Sequence, residues 1–223
     1  MSFRFEEELR QSFLESASPS LWSQPTPTLR VMTKLESDCS EGRADWVWAG
    51  TACDWPSDLV HQSADLLRQP TCSRILGLLK PRAPRRESYL QDRVGVAGRT
   101  FRRWLLELIE AGLAAELGMG RYTLGPHFSV PEIEICSFEF KLENWKRAFY
   151  QAKRYRVFSH RVFVVMPPEA GARVNGALDQ FEKFNVGLLT HDVDGTSQRV
   201  LPSRKRQPIS RAGFIRALGM LVG

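Results

Sequence analysis

The chain has 223 residues, 43% of them hydrophobic, and a net charge of +6, enough to bury one large core or two small ones and inclined toward a polyanionic partner. No apolar run approaches the roughly 18 residues of a membrane span, the opening MSFRFEEELR is amphipathic and acidic rather than leader-like, and internal repeats and long low-complexity tracts are absent. Cysteines at 39, 53, 72 and 136 form no CxxC pair and stand apart from the histidines, which argues against a zinc site and for reduced thiols in a cytoplasmic protein.

Residues 3–16, FRFEEELRQSFLES, predict a helix, with Phe5, Leu9 and Phe13 recurring at i, i+4 and i+8 on one apolar face. A Ser- and Pro-rich loop follows. LRVMTKLES and ADWVWAG then read as two strands joined by a turn at DCSEGR, a hairpin in which Asp45 opens the second strand.

From about residue 57 to 128 the chain changes character. DLVHQSADLLRQ is helical, CSRILGLLKP is a short helix stopped by Pro81, and RRESYLQDRVGVAGRTFRRWLLELIEA gives a helix, a tight turn and a longer helix. GLAAELGMGRYTLG reads as two short strands around GMG. Helices, a turn, a helix and a hairpin in this order make a winged helix-turn-helix. Residues 71–124 hold ten basic and five acidic residues, a net +5, so most of the excess charge lies here. Arg99, Arg102 and Arg103 sit at the start of the longer helix and Arg121 follows GMG, which makes them candidates for contacting DNA.

ICSFEFKLENW, residues 135–145, carries the chemistry. Cys136, Phe138, Phe140 and Leu142 alternate with Glu139 and Lys141, so a carboxylate and an ammonium leave one face of an otherwise apolar strand. Burying such charges is costly unless they meet each other, a metal or a substrate. A helix, NWKRAFYQAKRYRVFS, and a strand, RVFVVMP, come next. Lys153 and Arg154 belong to a run of five basic residues on that helix with no acidic ones, a surface suited to a nucleic-acid backbone. GALDQFEKFN predicts a helix, VGLLTHDVDG a strand running into a turn, and a basic tail ends in a helix near 210–221.

Helix with Glu6, strand, strand with Asp45, strand with Glu139-x-Lys141, helix with Gln151-x-x-x-Tyr155, strand: this succession resembles the PD-(D/E)xK, or restriction-endonuclease-like, nuclease superfamily, over residues 1–55 and 130–166. Two departures stand out. Ala44 replaces the proline of the family's PD, and a domain-sized insertion separates Asp45 from Glu139. The resemblance implies an α/β fold, with a mixed-sheet core flanked by helices and an inserted winged helix: residues 1–56 and 129–223 form the core, 57–128 the insertion. It implies that Asp45, Glu139 and the backbone carbonyl of Phe140 bind Mg²⁺, for which Mn²⁺ substitutes, and that Lys141 is the catalytic lysine. Glu6, Gln151 and Tyr155 complete the site. The expected activity is hydrolysis of DNA phosphodiesters in defence against foreign DNA or in repair, with a homodimer or larger complex among the partners. The rival readings are a non-catalytic DNA-binding regulator on a nuclease-like scaffold and a subunit active only in a larger assembly.

Overall fold

The structure is a computed structural model and describes residues 2–23, 30–39, 42–51 and 58–223. Along the chain run helix α1 (Glu6–Ser16), strands β1 (Arg30–Cys39) and β2 (Gly42–Thr51), and helices α2 (Asp58–Gln62), α3 (Ala64–Arg68) and α4 (Pro70–Leu78). Then come β3 (Arg85–Arg86), α5 (Glu87–Val94), α6 (Gly98–Glu110), β4 (Ala114–Glu116) and β5 (Arg121–Leu124). The remainder is β6 (Glu134–Phe140), α7 (Trp145–Tyr155), β7 (Arg161–Met166), α8 (Pro168–Ala172), α9 (Leu178–Lys183), β8 (Val186–His191), β9 (Ser197–Leu201) and α10 (Arg211–Val222). Two compact units result, Met1–Ala52 with Ile133–Gln207, and Cys53–Glu132 with Pro208–Gly223.

The first unit is built on a mixed six-stranded sheet in the order β1-β2-β6-β7-β8-β9. The hairpin β1–β2 and the pair β2–β6 are antiparallel, β6, β7 and β8 are mutually parallel, and β9 closes the edge antiparallel to β8. The parallel centre follows from its connections, since α7 and then α8–α9 carry the chain back between strands. VFVVM and VGLLTH are buried throughout, as strands covered on both faces must be. Alternation sorts β2 and β6. Trp46, Trp48, Cys136, Phe138 and Phe140 meet Leu9 and Phe13 of α1 in one aromatic core, with the Phe13 ring 5.5 Å from Phe140 and 6.0 Å from Phe138. Asp45, Val47, Ser137 and Glu139 take the alternate positions, on the face where α7 packs.

In the second unit α3, α4 and α10 pack together, and β3, β5 and β4 form a small sheet beside α5 and α6. Helix α6 buries Phe101, Leu105 and Leu108 and follows a turn in which Gly95 takes a left-handed φ of 70°, a conformation glycine adopts without a Cβ clash.

Several expectations are corrected. Phe5 is extended and exposed rather than on the helical face, because the Glu8 carboxylate accepts the backbone N–H of Arg4 and so starts the helix at Glu6. The helix expected over 58–69 breaks at Ser63 into two. Strands β3 and β9 and helix α8 were not foreseen, being too short or too polar to show a period. The C-terminal segment, assigned from sequence with residues 129–223, contributes α10 to the second unit, where its apolar residues cover α3 and α4. Cys72 and Cys136 are buried free thiols, with burial pushing Cys72 up to about 12, while Cys53, the turn at 40–41 and the side chain of Cys39 fall outside the described residues. Among the described residues no helix is long and apolar enough to cross a membrane.

Candidate active site

The site forms where β2 and β6 part. Their ladder runs in register up to Trp46 opposite Phe138. One step further, Asp45 and Glu139 face each other, and the Asp45 side chain takes over the hydrogen bonding of the backbone: its Oδ2 accepts the N–H of Phe140 at 2.8 Å. Asp45 is the fourth residue of β2 rather than an opening one, and this capture of a strand N–H holds its carboxylate against β6.

Glu139 is wholly buried. Its Oε1 lies 3.1 Å from the Lys141 ammonium but has no hydrogen-bond partner of good geometry. Its Oε2 stands 2.6 Å from the Tyr155 hydroxyl, which is also 2.7 Å from the Arg43 carbonyl. A hydroxyl carries one proton and cannot donate to both acceptors fully. Tyr155 therefore shares its proton between Glu139 and the Arg43 carbonyl and ties the two together. Burial, reinforced by the Asp45 charge, pushes Glu139 up to about 7. Burial likewise raises Asp45 above the usual carboxylate range, against the opposing pull of the Phe140 N–H, Lys141 and Arg10.

Lys141 is fixed from three sides. Its Nζ lies 2.8 Å from Glu6 Oε2, 2.8 Å from the Phe140 carbonyl and 3.1 Å from Glu139. Burial pulls its pKa down, but the Glu6 hydrogen bond and the charges of Glu139 and Asp45 outweigh it, and the net shift is upward. Glu6, Asp45, Glu139, Lys141 and Tyr155 are therefore brought together. Gln151 stands one turn before Tyr155 on α7, with its Oε1 buried and without a hydrogen-bond partner.

The donor set fits a hard divalent cation. Burial raises both carboxylates, the Asp45 charge adds to the rise at Glu139, and the backbone carbonyl of Phe140 and Glu139 Oε1 are oxygen donors beside them. Among the described residues no group of three or more His, Cys, Asp or Glu side chains is placed to hold a metal ion.

Sequence reasoning missed Arg10, Glu36 and Arg43. Glu36 is ion-paired with both arginines, and Arg10 also with Glu7. Arg10 follows Glu6 by four residues and so shares its helical face, which was the available signal. Glu36 has φ 48°, a backbone conformation that no sequence pattern at that position announces. Arg156, one of the five basic residues in the helix predicted over NWKRAFYQAKRYRVFS, is buried and donates to the carbonyls of Ser159 and His160 at 2.8 and 2.6 Å. Helix α7 ends at Tyr155, so the helical period no longer applies to it. Arg154 is exposed, whereas Lys153 is half-buried with its ammonium 4.5 Å over the Phe184 ring. Arg99, Arg102, Arg103 and Arg121 are exposed in the second unit, with Arg102 bonded to Glu87 at 2.8 Å. The HDVDG segment is the strand end and turn that its sequence predicts. His191 is buried between Ser197 and Ser12, and the Asp192 carboxylate accepts the N–H groups of Asp194 and Thr196 in the turn.

Compared with protein-family models, with curated proteins and with solved structures, the chain gives no match.

Proposed function

We propose that this chain is a metal-dependent DNA nuclease of the PD-(D/E)xK kind, whose second unit is a winged helix that docks duplex DNA. The observation that carries the reading is the convergence of Asp45, Glu139, Lys141 and the Phe140 carbonyl, with Glu139 wholly buried and one of its oxygens met only by the Lys141 ammonium. Asp45, Glu139 and that carbonyl would hold Mg²⁺ or Mn²⁺, which supplies Lewis-acid polarisation of a phosphodiester and a more acidic water. Tyr155 keeps Glu139 in place through its Oε2. Lys141 holds its proton on Nζ and offers a fixed positive charge to the phosphate as negative charge develops, and Glu6 sets where that ammonium points. In the second unit, α6 would present Arg99, Arg102 and Arg103 to the duplex and the β4–β5 hairpin Arg121.

The test is a cleavage assay on labelled duplex and single-stranded DNA with Mg²⁺, Mn²⁺ or EDTA, wild type beside Lys141→Ala. Cutting that needs the metal and is lost in the variant supports the reading. Duplex binding with no cutting by either protein would replace it with the regulator.

A further inference from the structure

The tip of the β4–β5 hairpin is built in an unusual way. Gly118, Met119 and Gly120 all take positive φ, at 85°, 54° and 62°. Glycine does this freely, but a non-glycine residue there bears a Cβ strain. Met119 is 94% exposed, so no packing within the chain offsets that strain or the exposure of its thioether. A Cβ placed on either flanking glycine meets nothing within 4 Å, so the tip stands clear of the body. It is nevertheless held firmly. The N–H of Leu117 donates to the Arg121 carbonyl at 2.8 Å, that of Arg121 to the Gly118 carbonyl at 3.2 Å, and that of Glu87 to the Gly120 carbonyl at 2.9 Å. A rigid loop thus presents one flexible apolar side chain to the outside, beside a second exposed one, Leu117.

The charges around it identify what the tip meets. Arg86 on β3 lies directly opposite Arg121 on β5. Both are exposed, and neither has a carboxylate partner among the described residues. Like charges directly across a ladder are destabilising, so the pair costs stability that an anionic partner would return. Glu87, whose N–H fastens Gly120, also binds Arg102 of α6 through its carboxylate, so the cations continue from the tip onto that helix. An apolar wedge flanked by cations that extend in a row matches the edge of a minor groove, where side chains enter between base steps while arginines neutralise the phosphates on either side. A membrane surface fits less well, because two side chains bury too little apolar area to anchor a domain.

We propose that Met119 is a wedge that enters the minor groove of duplex DNA and unstacks a base step, with Arg86 and Arg121 on the flanking phosphates. This rests on the duplex-docking part of the function proposed above, and not on the nuclease chemistry. The test uses the full chain in EDTA with a TA-rich duplex carrying 2-aminopurine, whose fluorescence rises on unstacking; TA steps are the easiest to open. Wild type should raise the fluorescence at saturation. Met119→Gly should bind but abolish the rise, and it does not endanger the fold, because glycine relieves the left-handed strain. Arg86→Ala with Arg121→Ala should lower the slope of log affinity against log salt by about 2. No rise with wild type, a full rise with Met119→Gly, or Met119-dependent binding to phosphatidylserine vesicles in place of duplex would each overturn the proposal. A rise with wild type alone, accompanied by no cleavage in Mg²⁺, would remove the nuclease reading and leave this one standing.

Discussion

The two units use charge in opposite ways. In the first, the charges that matter are withdrawn from water. Glu139 is wholly buried and the Lys141 side chain is 12% exposed, so each depends on the others for solvation. In the second, the cations of α6 stay in water: the side chains of Arg102 and Arg103 are 72% and 69% exposed. A buried charge that loses one partner leaves the other uncompensated, whereas a solvated charge leaves nothing behind. Substitutions in the first unit should therefore disturb chemistry and stability together. Substitutions in the second should disturb binding alone.

The largest effect is expected at Lys141. Its change to Ala should lower cleavage by about 10²- to 10³-fold or more, as for loss of one preorganised electrostatic group. Duplex affinity in EDTA should stay within a few-fold; a variant that loses affinity as steeply as activity would merge the two roles that the comparison separates.

The next is a pH effect on the first unit. His160 Nδ1 accepts the N–H of Ile135 at 3.0 Å, so the ring is neutral in the folded chain. Burial first, and the neighbouring cations Lys205, Arg156 and Arg161 with it, lower its pKa to about 4, against the opposing pull of Glu134. The unfolded chain takes up this proton near pH 6.5 and the folded one only near 4. Stability is thus full above 6.5 and falls as the pH drops toward 4, by at most about 3 kcal/mol from this group. Denaturant midpoints across that range should show the fall, and His160→Gln should flatten it. An equally steep fall in the variant would assign the effect to other groups.

Tyr155→Phe should come third. It removes the hydroxyl between Glu139 and the Arg43 carbonyl, leaving two buried acceptors short of a donor, at a cost of about 1–3 kcal/mol. Unfolding should show this, and cleavage should slow because Glu139 is no longer held. The smallest effect on the fold belongs to Arg102→Ala with Arg103→Ala. The thermal midpoint should not move, while the salt slope of duplex binding should fall by about 2. A shifted midpoint would mean that these cations support the fold and that the contrast between the units is false.

Much of this was legible along the chain. Period-two alternation in FEFK put Glu139 and Lys141 on one face, and the 3.6-residue period marked α6 and its exposed arginines, because both patterns are local. Gln151 and Tyr155 share a face for the same reason. What the periods did not carry was how the faces meet. The capture of the Phe140 N–H by Asp45 joins residues 95 positions apart. The anchoring of Lys141 by Glu6 joins residues 135 apart. The inward turn of Arg156 begins where its helix stops. The assignment of α10 to the second unit depends on which apolar surface lay open to it.

By itself the sequence determined which residue types alternate, where helices can run and where the cations collect, since these follow from backbone geometry within a few residues. Only the tertiary structure decided that Glu139 would be buried deeply enough to be pushed up to about 7, that Lys141 would stand among three oxygens, and that Met119 would be left outside. Burial and pairing are properties of elements brought together from distant parts of the chain, and no local period encodes them.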